Sequence, residues 1–165
     1  MFLPGIALAL LVAQDLEGFA KAHLPPGAGL AHPPVSGAFG PAGKHIVLLY
    51  RDDPDDSGEF RGTVYLDGRR PQQLPPLGLI ANQFAVDVKA VFFASKDLLV
   101  LYGYHRNGSE ADDSHACAVY RWNGSGFIRV SDVEHKIAGL ATASAVRQRL
   151  GRLSPTMNKQ GDIRK

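Results

Sequence analysis

From His45 to Val130 the chain carries a succession of short runs rich in β-branched, aromatic and aliphatic residues. The connections between them are too short to hold a crossover helix, so neighbouring runs must pair antiparallel. The first is HIVLLYR from His45, whose unbroken apolar character suits a strand buried on both faces. Asp52 to Gly58 is an acidic turn, and Glu59 to Leu66 returns from it to make a hairpin. In that return Phe60, Val64 and Leu66 share one face, and Arg61, Thr63 and Tyr65 the other. Asp67-Gly68 predicts a two-residue type I′ turn into a short strand over Arg69 to Leu74, which Pro75-Pro76 ends.

Leu77 to Ala85 favours no element, and a strand is expected over Val86 to Ser95. Lys96-Asp97 is read as its turn, and Leu98 to Arg106 pairs back. A polar loop from Asn107 to Asp113 leads to a strand over Ser114 to Trp122. Asn123 to Gly126 turns into Phe127 to Val130. Ser131 reads as a helix N-cap, with Glu134 completing a capping box. Val133, Ile137, Leu140, Val146, Leu150 and Leu153 then recur at helical spacing, predicting one helix to Leu153. Its basic residues near the C-terminus suit the helix dipole. The expected fold is α+β: an antiparallel β-meander of about six to seven strands packed by a C-terminal α-helix.

The chain has 165 residues, 45% of them apolar and 21% charged, which is enough to bury one core without disulfide staples. Residues 44–153 form that unit, and 154–165 read as a flexible tail. Residues 14–43 are an irregular lead-in with a short helix over Leu16 to His23, followed by a stretch too rich in Gly and Pro for a long helix or a central strand. Met1 to Gln14 is an uncharged apolar run too short to span a membrane as a helix. Residues 1–13 match the apolar core of a signal peptide, which places the mature protein in the periplasm or outside the cell; retained, the run would be a second helix and the protein cytoplasmic.

The formal net charge of +2 gives no electrostatic case for nucleic acid. No nucleophile elbow, phosphate loop or helical zinc motif occurs, and no cofactor is implied. Four groups of residues merit attention. Asp53, Asp55, Asp56 and Glu59 are hard oxygen donors of the kind calcium takes, although their spacing is not that of an EF-hand loop. His105, His115, Asp112 and Asp113 flank one loop, with Cys117 sharing a strand face with His115, and could serve a small hydrolase or metal-dependent enzyme. Cys117, the only cysteine, otherwise reads as a small buried side chain. Tyr102, Tyr104, Tyr120 and Trp122 offer an aromatic sheet face suited to recognising a protein or glycan. Asn107 and Asn123 each begin an Asn-Gly-Ser sequon that serves equally as a turn.

The stretch Gly37 to Tyr50, and Leu98 to Tyr102 with Val119 to Gly124, resemble the strand patterns of secreted β-propeller repeats of the FG-GAP type. That resemblance implies a β-rich exported protein. The acidic calcium loop of those repeats is missing between Phe39 and Ile46, the chain is too short for a closed propeller, and no site residue is carried over. The reading that follows is a small exported binding or inhibitor-type protein without catalytic activity, recognising a protein or envelope component through an exposed sheet face. The alternative is the enzyme built on His105, His115 and Asp112.

Overall fold

The structure, a computed structural model, describes residues 15–55, 59–79, 83–106 and 113–153. The apolar run to Gln14, the tail from Ser154, Asp56 and the Asn107 to Asp112 loop lie outside the described residues. The fold is α+β, with nine strands in two antiparallel sheets and three helices among the described residues.

The first sheet is built on β3 (His45–Arg51). One edge of β3 pairs with β1 (Gly29–Leu30) and β2 (Val35–Gly37), and the other with β4 (Arg61–Tyr65), which pairs in turn with β5 (Gln72–Gln73). The second sheet is a meander of β6 (Gln83–Ala94), β7 (Asp97–Arg106), β8 (Asp113–Trp122) and β9 (Phe127–Arg129). Register shifts at Ala85/Asp87 and Val88/Ala90 interrupt the long edge strand β6, and the exposed Asp87–Lys89 pair sits on it. Both devices discourage edge-to-edge pairing.

The sheets pack face to face. Val47, Leu49 and Val64 of the first meet Leu98, Val100, Tyr102, Ala118 and Tyr120 of the second in one core. The other face of each central strand is buried too. Ile46, Leu48 and Tyr50 lie under α1 (Leu16–His23), and Leu99, Leu101, Cys117 and Val119 lie under α2 (Ser131–Ile137) and α3 (Ala143–Leu153). This explains why β3 and most of β7 read as unbroken apolar runs: neither has a wet face.

The lead-in does more than cover. Phe39 enters the shared core and stacks on Phe93, ring centroids 4.7 Å apart. Gly37 makes room for this, because a Cβ there would lie 2.2 Å from the Phe93 ring. α1 spans the residues expected of it, and its cap is Asp15, which accepts the Gly18 N–H at 2.6 Å.

Several expectations change. The strands form two sheets and not one continuous meander, because Leu74 to Leu79 crosses between them without a hairpin. The turn after β4 has positive φ at Gly68 alone, which is type II-like geometry, and only Gln72–Gln73 pairs beyond it. The β6–β7 turn is Ser95-Lys96, both at positive φ, and Asp97 already belongs to β7. The C-terminal helix is broken: α2 ends at Ile137, and Gly139 at φ +77 turns the chain into α3. There is no capping box. Val130 occupies the N-cap without a side-chain bond, and Glu134 is committed elsewhere, accepting the Val119 N–H at 2.9 Å and pairing with Arg129.

Candidate functional site

The four aromatic residues do share a sheet face, but that face is the inner one. Tyr102 and Tyr120 are buried at 4% and 2% exposure in the shared core, while Tyr104 and Trp122 pack against its margin. The expectation of an open aromatic face is corrected by the first sheet, which lies on it. Burial pushes the Tyr102 phenol up to about 12 and that of Tyr120 higher still. Trp122 closes one end of the core, edge-on to Phe127 with Arg69 over its ring.

The acidic loop disperses its donors. Asp53 Oδ1 accepts the Asp55 N–H at 2.9 Å, a local turn. Glu59 Oε1 accepts the N–H groups of Leu77 and Gly78 across the molecule. Asp52 pairs with Arg61 at 2.9 Å. Asp53, Asp55 and Glu59 are therefore not drawn together around one point, and Asp56 lies outside the described residues.

His115 and Cys117 do share the outer face of the second sheet, and His105 stands opposite Asp113, two pairs along from Gly103 opposite His115. Both histidines are partly buried. Cys117 is sealed beneath the helices, where burial first and the Glu134 charge second push its thiol up to about 12. A thiol so shifted is not a nucleophile at neutral pH. Among the described residues no three His, Cys, Asp or Glu side chains are grouped to hold a metal ion, and Asp112 lies outside them.

A concavity among the described residues lies elsewhere, at the end of the sandwich where β3 leaves, β4 enters and β5 departs. This cleft has a volume of about 590 Å³. Its floor is Leu49, Phe60, Leu74 and the buried Tyr120, so it opens onto the core between the sheets. Its rim is polar: Arg51, the Asp52–Arg61 pair, Tyr50 and Gln73. Gln73 Nε2 donates to Thr63 Oγ1 at 2.8 Å, and that hydroxyl lies 3.4 Å from the Tyr50 phenol. A Cβ at Gly62 would press on Leu74 Cδ1 and Leu49 Cδ2, so a larger residue there would displace the cleft floor.

The stretch that leaves the cleft at Pro76 is held from both sheets. Glu59 holds Leu77 and Gly78 from the first. Arg129 of β9 donates from Nη1 to the carbonyls of Pro76 at 3.0 Å and Leu77 at 2.8 Å. Its Nη2 donates to Glu134 Oε2 at 2.7 Å. Burial opposes the Arg129 charge, but the hydrogen bonds and charge of Glu134 outweigh it and hold the guanidinium above its ordinary pKa. Among the described residues lining the cleft there is no Ser, Cys or His, and its two carboxylates, Asp52 and Glu59, are already engaged.

Sequence reasoning missed this cleft because its parts come from strand ends far apart in the chain. Pro75-Pro76 carried only a strand-ending signal. The chain matches no protein-family model, no curated protein and no solved structure.

Proposed function

We propose that the protein is a small exported binding protein without catalytic activity, and that a protein partner seats an apolar or aromatic side chain in the cleft at the end of the sandwich. The observation that carries this reading is the clamped stretch at the edge of the cleft. Arg129 holds the carbonyl of Pro76, which lines the cleft, and with Glu59 holds Leu77 and Gly78 just beyond it, so this stretch is ordered before any partner arrives and little ordering entropy is lost on binding. An apolar floor inside a polar, hydrogen-bonding rim is the usual anatomy of a protein-recognition pocket. Export is supported by the apolar run over Met1 to Gln14 alone. N-terminal sequencing of protein from the native host tests it; an intact Met1 would remove it.

The test of binding is capture from native-host envelope extract on the tagged full chain, with bound proteins identified by mass spectrometry. Arg61 is exposed at the rim, so Arg61→Glu should leave the fold intact and abolish retention of the partner. Lys21→Glu, exposed on α1 and not among the residues lining the cleft, should retain it. Equal retention by all three proteins overturns the reading.

A further inference from the structure

Two sets of arginines stand apart in this chain, three that are paired and three that lie together on one helix. Arg61, Arg121 and Arg129 each pair with a carboxylate, Asp52, Asp97 and Glu134 respectively. Arg147, Arg149 and Arg152 of α3 do not: among the described residues no carboxylate lies within ion-pair distance of them. α3 contains no acidic residue at all. Its inward side, Val146 with Ala143 and Leu150, is spent on the outer face of the second sheet. Arg147 lies over the Phe92 ring at 4.8 Å. Arg149 and Arg152, three apart, share an exposed side, and Leu153, 43% exposed, follows Arg149 by four residues on the same side.

The sequence sharpens the contrast. From Ala143 onward there are six Lys and Arg against one Asp, whereas the preceding residues carry twelve against fifteen Asp and Glu. A small positive total therefore conceals an acidic body with a basic end.

We propose that the outward side of α3 docks the protein on an anionic phospholipid surface. Three observations favour lipid over other polyanions. Leu153 beside Arg149 supplies an apolar foot of the kind that enters the headgroup layer. α3 exposes no aromatic side chain on which a base could stack, as single-strand nucleic-acid sites require. The rest of the chain, acidic in total, would repel a polyanion that wrapped around it, whereas a flat surface need touch only the outward side of α3, which carries no acidic residue. Docking in this manner leaves the helix folded on the sheet and leaves the cleft free, so it stands independently of the partner proposed above.

The test is co-sedimentation of the full chain with vesicles of phosphatidylcholine alone and of phosphatidylcholine with phosphatidylglycerol. Binding is expected only to the second, falling as salt rises. Each basic group at such a surface contributes about fivefold in affinity, so Arg149→Gln/Arg152→Gln should weaken binding about 30-fold with an unchanged melting temperature. Arg149→Glu/Arg152→Glu should abolish it. Equal binding to neutral vesicles, equal binding by the Gln variant, or binding to DNA without binding to anionic vesicles would overturn the proposal.

Discussion

On the outer face of the first sheet, Phe19 and Ala20 of α1 lie on Ile46, Leu48 and Tyr50; on that of the second, Ile137 and Val146 lie among Leu99, Leu101, Cys117 and Val119. The two covers bury similar strand surfaces by different means. The first is aromatic: Phe19 stacks on His23 at 4.0 Å and meets Tyr65 edge-on at 5.0 Å. The second is pinned by a polar network, in which Glu134 of α2 takes the Val119 N–H and the Arg129 guanidinium. Arg129 extends that network to the cleft wall. Only the second cover reaches the candidate site through a hydrogen-bonded ion pair; the first meets it by packing alone, at Tyr50. Loss of the first should cost mainly stability; loss of the second should also free the Pro76 to Gly78 stretch beside the cleft.

Removing a mostly buried charge from a pair leaves its partner uncompensated. Glu134→Ala should therefore cost about 3 kcal/mol, raise the labelling rate of Cys117 in the folded protein and weaken partner capture. Phe19→Ala should cost a similar or slightly smaller amount, about 3 kcal/mol, and change neither the thiol nor the cleft. Urea unfolding and thiol labelling of both variants check this. Thiol exposure in Phe19→Ala equal to that in Glu134→Ala would break the comparison.

The same cover sets a pH dependence. The Cys117 thiol, ordinarily near 9.0, is raised to about 12 in the fold, so the folded state holds its proton more tightly than the unfolded state. The stability this contributes is complete below pH 9 and is lost as pH rises toward 12, on the order of 4 kcal/mol in all. Tyr102 loses stability in an overlapping alkaline window. Urea midpoints across this range should fall steeply, and less steeply in Cys117→Ala.

The individual strands were legible because a strand buried on both faces needs an unbroken apolar run, as in Val47 to Leu49 and Leu98 to Leu101. Alternation gives Tyr102 and Tyr104 a common face on one strand, and Tyr120 and Trp122 a common face on the next. It could not say what lay on those faces, since the covering sheet comes from residues far away in sequence. The helix break was hidden for a related reason: Ile137, Leu140 and Val146 keep apolar positions on the same cluster across the Gly139 turn, so the spacing imitates one helix. Local turn chemistry misled at Ser95-Lys96, which adopts a conformation usually given to Asn-Gly. The Gly40 N–H donates to the Lys96 carbonyl at 2.8 Å, tying the lead-in of the first sheet to a turn of the second.

That turn gives the smallest effect. Replacing Ser95-Lys96 by Asn-Gly relieves two left-handed non-glycine residues and should stabilise the protein by about 1 kcal/mol. The melting temperature should rise with the Cys117 labelling rate unchanged, because the turn belongs to neither cover.

Face-to-face burial of the second sheet against the first is the claim on which the cleft depends. Hydroxyl-radical oxidation of the folded full chain, read residue by residue by mass spectrometry, tests it directly. Tyr102, deep between the sheets, should be protected, and Trp122 at the margin should oxidise measurably faster. Oxidation of Tyr102 as fast as Trp122 would mean that the inner face is open and that the two sheets do not share a core.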